Sequence, residues 1–178
     1  MTSLLGKRRA GILLHITSLP GSEAVGDLGQ EAYHFVRFLH DTGVTVWQTL
    51  PLGMTHADLS PYQSLSAHAG NPELISIHSI YKLGWLRFTD ISSTSTTSLE
   101  YPKNLLLTKA FEGFIEWASE DDKADFARFC QEKSLWLDDF ALFMALRKEF
   151  NQQSWNRWPL PYRDRDPKAL QEAKRRLK

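Results

Sequence analysis

Apolar positions along the first fifty residues change their period twice, and each change marks an element. Gly11-Ile12-Leu13-Leu14-His15-Ile16 is a short apolar run closed by the turn residues Thr17 to Gly21, the pattern of a buried strand. Asp27 then opens a helix, with Gln30 three residues on in capping-box spacing. Leu28, Ala32, Phe35, Val36 and Leu39 recur at helical spacing, while Glu31, Arg37 and His40 fall on other faces. Gly43 stands where glycine ends a helix, and residues 44–50 form a second strand that Pro51 closes. This order predicts a βαβ unit with parallel strands and a right-handed crossover. Trp47 should pack between sheet and helix. Ligands of parallel α/β folds bind beyond the carboxyl ends of the strands, where the loops 17–26 and 53–71 emerge.

Helical spacing dominates further along. Residues 71–86 predict a short helix with Ile75, Ile80, Leu83 and Trp85 at apolar positions. Residues 91–101 are a Ser/Thr tract with too little apolar surface to offset ordering entropy, and predict a flexible loop. From Asn104 onward, Leu107, Ala110, Phe111, Phe114 and Ile115 form one stripe, and Phe126, Phe129 and Cys130 another. Residues 135–150 are apolar on most faces, which predicts a helix buried against several partners. Asp166-Pro167 starts a basic helix, since proline is favoured at the first helical position, and Lys174-Arg175-Arg176 ends it without a stop signal. The chain divides into an α/β region over 1–72 and a mostly helical region over 73–178.

Composition narrows the function classes. Twenty-one basic and twenty-one acidic side chains cancel, so no long-range field favours nucleic acid or anionic membrane. The single cysteine excludes an internal disulfide and fits a reducing, cytoplasmic setting. Residues 1–10 are short and basic, unlike a signal peptide, and no run approaches the roughly 18 apolar residues of a membrane span. A hydrophobic content of 42% with six tryptophans points to surfaces made to be covered by further elements.

The chemistry gathers in Leu59-Ser60-Pro61-Tyr62-Gln63-Ser64 and the stretch Ser66-Ala67-His68-Ala69-Gly70-Asn71-Pro72. Hydroxyls and amides both donate and accept, and a tyrosine ring can cover the apolar face of a sugar while its hydroxyl hydrogen-bonds. The loop therefore suits a neutral polyhydroxylated ligand, although a tyrosine beside a proline also serves as a turn anchor.

Several motifs together carry a family likeness: Gly11-Ile12-Leu13-Leu14-His15, Thr17-Ser18-Leu19-Pro20-Gly21, Gly26-Asp27-Leu28-Gly29 and Trp47-Gln48 with Leu50-Pro51-Leu52-Gly53. Ser60-Pro61-Tyr62-Gln63-Ser64, Ala69-Gly70-Asn71-Pro72, residues 136–146, Trp158-Pro159 and Arg165-Asp166-Pro167 extend it over nearly the whole chain. In this order they resemble the N-terminal part of the 4-α-glucanotransferases, the amylomaltases or disproportionating enzymes. The resemblance implies an α/β fold, the first two strands of a (β/α)8 barrel plus a mostly helical inserted subdomain. It implies retaining transfer of α-1,4-glucan segments between maltooligosaccharides, without metal or cofactor, in cytoplasmic maltodextrin and glycogen metabolism. By it, Tyr62 lines the glucan cleft and Ser60 is a polar neighbour of bound sugar. The family's catalytic carboxylates lie on later strands, so it places no catalytic residue in this chain. A complete barrel takes about 250 residues. The chain is accordingly expected to be a truncated N-terminal piece, inactive alone, whose partner is the remainder of the barrel. The alternative is a catalytically silent glucan-binding or interaction module. Thr55-His56-Ala57-Asp58-Leu59 departs from the Thr-Gly-Tyr-Gly-Asp of some relatives, which puts an accessory glucan groove in doubt.

The acids read as structural. Asp138 and Asp139 follow Ser134, expected as an N-cap, and suit the positive end of a helix whose other end carries Arg147 and Lys148. Glu120, Asp121 and Asp122 begin another helix or form a solvated run, Asp27 caps the first helix, and Asp58 is the one loop acid near Tyr62. The histidines show no metal-ligand spacing, and His15 reads as a histidine facing the interior, satisfied in the core or supporting a site residue from behind. Gly21, Gly26 and Gly29 make no dinucleotide fingerprint.

Overall fold

Period-two burial in the strands decides which sheet face is covered. The computed structural model describes residues 6, 8–20, 25–56, 58–92 and 103–177, and in it β1 (Gly11–Leu13) pairs in parallel with β2 (Val46–Gln48). Ile12 lies opposite Trp47, and both are half-buried, whereas their neighbours on each strand are exposed. Between the strands runs α1 (Gln30–Asp41), whose Phe35 meets the Trp47 ring edge-on at 4.9 Å. Trp47 Nε1 donates to the Leu14 carbonyl at 2.8 Å, so the indole is fixed between sheet and helix as expected. The opposite face carries Leu13 and Val46, which are 58% and 38% exposed. Only one side of this sheet is covered among the described residues.

Helix α1 begins later than its apolar pattern suggests. Gly29, not Asp27, is the N-cap, and the Asp27 carboxylate instead accepts the Gly29 N–H at 2.8 Å. That bond closes a turn ahead of the helix, so Gln30 becomes the first helical residue and no capping box forms. Leu28 consequently lies outside the helix and is 49% exposed, while Ala32 and Leu39 are buried. Gly43 follows the helix with φ +73°, the left-handed conformation in which glycine escapes the Cβ clash. The second strand is shorter than the seven positions expected, because only Val46–Gln48 has a pairing partner.

Among the described residues, three small cores follow along the chain. Ile16, Leu19, Ala32 and Leu74 form the first, with Leu14, Phe35 and Trp47 against them. Leu74 reaches it from a 3-10 turn (Pro72–Leu74) capped by Asn71, whose side chain accepts the Glu73 N–H at 3.0 Å. Ile77, Leu86, Leu106 and Ala110 form the second, built from α2 (Ile77–Lys82) and α4 (Lys103–Trp117) with Ile91 of α3 (Phe88–Ser92) packed against it. The single helix expected over 71–86 is thus replaced by a turn and a helix that Ser76 caps. This moves burial to Ile77 and Leu86 and leaves Leu83 58% exposed. Of the expected flexible loop 91–101, residues 91 and 92 are helical and 93–101 lie outside the described residues. The buried stripe of α4 is Leu106, Ala110, Gly113 and Phe114, so Phe111 and Ile115, expected on it, face outward at 52% and 57% exposure. Asp90 receives the Arg87 N–H at 2.9 Å and Lys109 at 3.2 Å. The backbone bond above all, against some desolvation and with help from Lys109, holds its carboxyl below the ordinary aspartate range.

Contacts divide the chain into two units, Met1–Lys123 and Ala124–Lys178, with the boundary inside α5 (Glu120–Glu132). The second unit is organised by the third core, Leu142, Leu146, Trp158 and Ala173, drawn from α6 (Leu137–Glu149), the segment before α7 (Leu160–Arg163) and α8 (Pro167–Arg176). Trp136 precedes α6 as its N-cap and Ser134 does not cap it, because the Ser134 N–H is drawn to the Gln131 carbonyl at 3.3 Å in the preceding turn. Only Leu142 and Leu146 of α6 are buried and Leu135 is 95% exposed, so this helix is less enclosed than its composition suggests. Asp166 caps α8 through the Ala169 N–H at 2.9 Å, as expected. Arg176 grips Glu149 with two bonds of 2.7 and 3.0 Å, tying α8 to α6.

Candidate functional site

The loop after β2 is a narrow ladder with a two-turn tip. The Asn71 N–H donates to the Leu52 carbonyl at 2.9 Å, Gly53 bridges Gly70, the Leu65 N–H reaches the Met54 carbonyl at 2.8 Å, and Thr55 bridges Ser64. Gly53 has to be glycine-sized, since an added Cβ would sit 2.8 Å from Ser64 Cβ. Beyond the Thr55 rung, the Leu59 N–H closes one turn on His56 at 3.0 Å and the Gln63 N–H closes the next on Ser60 at 3.1 Å. Pro61 takes the second position of that turn, which its fixed φ favours, and Tyr62 takes the third. Ser60 and Tyr62 therefore belong to one rigid turn. Ser60 is half-buried, and the Tyr62 ring is 74% exposed.

Other loop groups are used by the loop itself. Asp58 accepts the Ser60 N–H at 3.2 Å, which fixes the entry to the Ser60 turn. Ser66 Oγ accepts from the backbone of both His68 and Ala69 at 3.1 Å. Leu59 departs from what its residue type favours. It has φ +57° and is 77% exposed. A leucine in the left-handed region costs about 1–2 kcal/mol, and no glycine or asparagine signals the turn in the sequence.

The loop after β1 starts at His15. Its Nδ1 accepts the Thr17 N–H at 3.4 Å and lies 2.7 Å from Thr17 Oγ1. A neutral ring accepting at Nδ1 carries its proton on Nε2. That Nε2 is buried and has no partner among the described residues, so the histidine is not the fully satisfied one expected. Gly26 closes this loop onto Thr17 at 3.1 Å, and an added Cβ there would collide with the Ile16 carbonyl oxygen.

The remaining acids stay in their helices and turns. Asp138 and Asp139 occupy the first turn of α6, and Asp139 pairs with Arg165 at 2.8 Å. Glu120, Asp121 and Asp122 occupy the first turn of α5, where Ser119 accepts the Asp122 N–H at 3.1 Å. Among the described residues no group of three or more His, Cys, Asp or Glu could hold a metal ion, and no helix is long and apolar enough to cross a membrane. What the loop offers chemically is an exposed aromatic face with a hydroxyl beside it, on a stiff support.

A model of the 4-alpha-glucanotransferase family, glycoside hydrolase family 77, matches residues 14–178. The chain is 46% identical over 177 residues to a 4-alpha-glucanotransferase of Thermus thermophilus, covering 96% of the chain and 35% of the relative. It is 42% identical over 187 residues to one of Synechocystis, covering 98% of the chain and 36% of the relative. Among solved structures it is similar to an amylomaltase from Streptococcus agalactiae in complex with acarbose. That likeness has a TM-score of 0.86 and 35% identity, over 96% of this chain and 36% of the other. The chain thus spans about a third of the length of these relatives.

Proposed function

Because the chain belongs to the 4-alpha-glucanotransferase family, we propose that it supplies one wall of a glucan cleft in an enzyme that transfers α-1,4-glucan segments with retention. Residues 1–72 give the first two strands and the substrate loop of a (β/α)8 barrel, and residues 73–178 a mostly helical insertion. The exposed Tyr62 ring in the same turn as Ser60 carries this reading. The ring covers the apolar face of a glucosyl unit, and Ser60 lies within the same turn to bond its hydroxyls. The sheet supports the barrel assignment: α1 covers one face, and the apolar Leu13 and Val46 on the other await the interior of a closed barrel.

Retaining transfer needs two carboxyls roughly 5–5.5 Å apart, one attacking the anomeric carbon and one serving as acid and base. Five acids singled out by the sequence are committed elsewhere: Asp27 and Asp58 hold turns, and Asp138, Asp139 and Glu120 begin helices. As the family resemblance implies, the catalytic carboxylates come from the remainder of the barrel, the partner this chain requires, and no metal or cofactor enters the reaction. Maltooligosaccharides are the substrates, in cytoplasmic maltodextrin and glycogen metabolism. Incubated with maltotriose, the purified chain alone should release no glucose and build no longer dextrins. Turnover by this chain would overturn the division of labour. Maltoheptaose should still bind, and Tyr62→Ala should weaken that binding about tenfold, read by NMR titration; unchanged binding would remove Tyr62 from the cleft.

A further inference from the structure

Leu59 combines two features that folding alone does not favour. Its backbone is left-handed at φ +57°, where a Cβ crowds the carbonyl oxygen that follows, and its isobutyl group is 77% exposed. Glycine would remove the crowding, and a polar residue would be better hydrated. Neither the turn nor solubility accounts for leucine.

Its position supplies the missing term. The turn ending at Leu59 and the turn holding Tyr62 are consecutive at the tip of one ladder, joined by Ser60 and closed below by the Thr55–Ser64 bridge. Asp58 accepts the Ser60 N–H at 3.2 Å and Pro61 fixes its own φ, so little freedom separates the two exposed side chains. Three residues of chain span at most about 11 Å. The tip therefore presents an aliphatic and an aromatic residue three positions apart, both exposed, on consecutive hydrogen-bonded turns.

We propose that Leu59 is a second sugar-contact residue, packing its methyl groups against the C–H face of the glucosyl unit next to the one that rests on Tyr62. This rests on the reading of the loop as glucan-facing, and adds to it a dependence on chain length. A single glucose reaches one of the two surfaces, whereas an α-1,4-linked chain reaches both. An apolar contact of this kind carries no hydrogen-bond requirement, so it tolerates many sugar orientations while rewarding length.

The test uses the whole chain with leucine methyl groups labelled with carbon-13, titrated with maltoheptaose and separately with glucose. Maltoheptaose should shift the Leu59 methyl signals and the Tyr62 ring signals with one common midpoint. Glucose should leave the Leu59 methyls unmoved. Leu59→Gly should weaken maltoheptaose binding about fivefold with a Tm equal to or above that of the native sequence, since glycine relieves the left-handed backbone. If the Tyr62 ring responds while the Leu59 methyls stay fixed and Leu59→Gly binds as before, the Leu59 contact is wrong and the loop reading stands. If maltoheptaose moves neither residue, the loop reading fails and the Leu59 contact with it. Should Leu59→Gly not fold, the methyl shifts of the native chain decide the matter.

Discussion

Gly113→Ala should destabilise the first unit by about 2–3 kcal/mol, read as a lowered urea midpoint with helical circular dichroism as the probe. The expectation runs against helix propensity. Alanine in place of a mid-helix glycine ordinarily gains about 1 kcal/mol. Here an added Cβ would collide with the Trp85 carbonyl oxygen and stand 2.9 Å from both its carbon and Trp117 Cζ3. The oxygen is backbone, on the segment leading into the buried Leu86, and has no rotamer by which to retreat. Trp85 is held further by its edge-on contact with Phe114 at 4.9 Å, and Trp117 by Arg87, 4.5 Å above its ring. Helix α4 would have to lift off the neighbour that Leu106 and Ala110 bury against. A variant more stable than the native chain would show that this close approach does not exist.

Leu146→Ala should cost the second unit about 3 kcal/mol. Leu146 is 2% exposed and sits among Leu142, Trp158 and Ala173, with Phe143, Phe150 and Tyr162 packed around them. The aromatic rings are too large to slide into the space left, so most of the cavity persists. Trp158 is 6% exposed and donates to the Gln153 carbonyl at 3.1 Å, so its indole N–H signal in NMR-monitored urea unfolding reports on this core. Leu135→Ala, at a leucine 95% exposed, is the matched control and should shift stability by less than about 0.5 kcal/mol. Equal losses at both positions would mean that the third core is not organised around Leu146.

The sequence discloses those parts of the fold whose causes are local. The parallel pair β1 and β2, the glycine after α1, the Asp166-Pro167 start of α8 and the acidic and basic ends of α6 each follow from a few neighbouring residues. It misleads where a distant partner decides. Asp27 has the spacing of a cap, yet the turn it closes sits beside Leu28, whose N–H is drawn to the Leu74 carbonyl at 2.9 Å. The apolar pattern of α4 puts Phe111 and Ile115 on the buried stripe, but the helix turns Gly113 inward, where it lies against the Trp85 backbone. In the loop after β2, Pro61 announces the turn that Gln63 closes on Ser60. Leu59 carries no such signal, because a left-handed leucine leaves no compositional mark. The unpartnered Nε2 of His15 follows from burial, which periodicity does not report.

The Thr55–Ser64 rung separates the loop into a shank and a tip. The shank is anchored through Asn71 and Leu74 to the first core, whereas the turn bonds of the tip, Leu59 to His56 and Gln63 to Ser60, close within the tip itself. Residues 56–63 can therefore be exchanged as a cassette without re-engineering the strands beneath. Sequence change can in this way be confined to the tip while the rest of the scaffold is inherited unaltered.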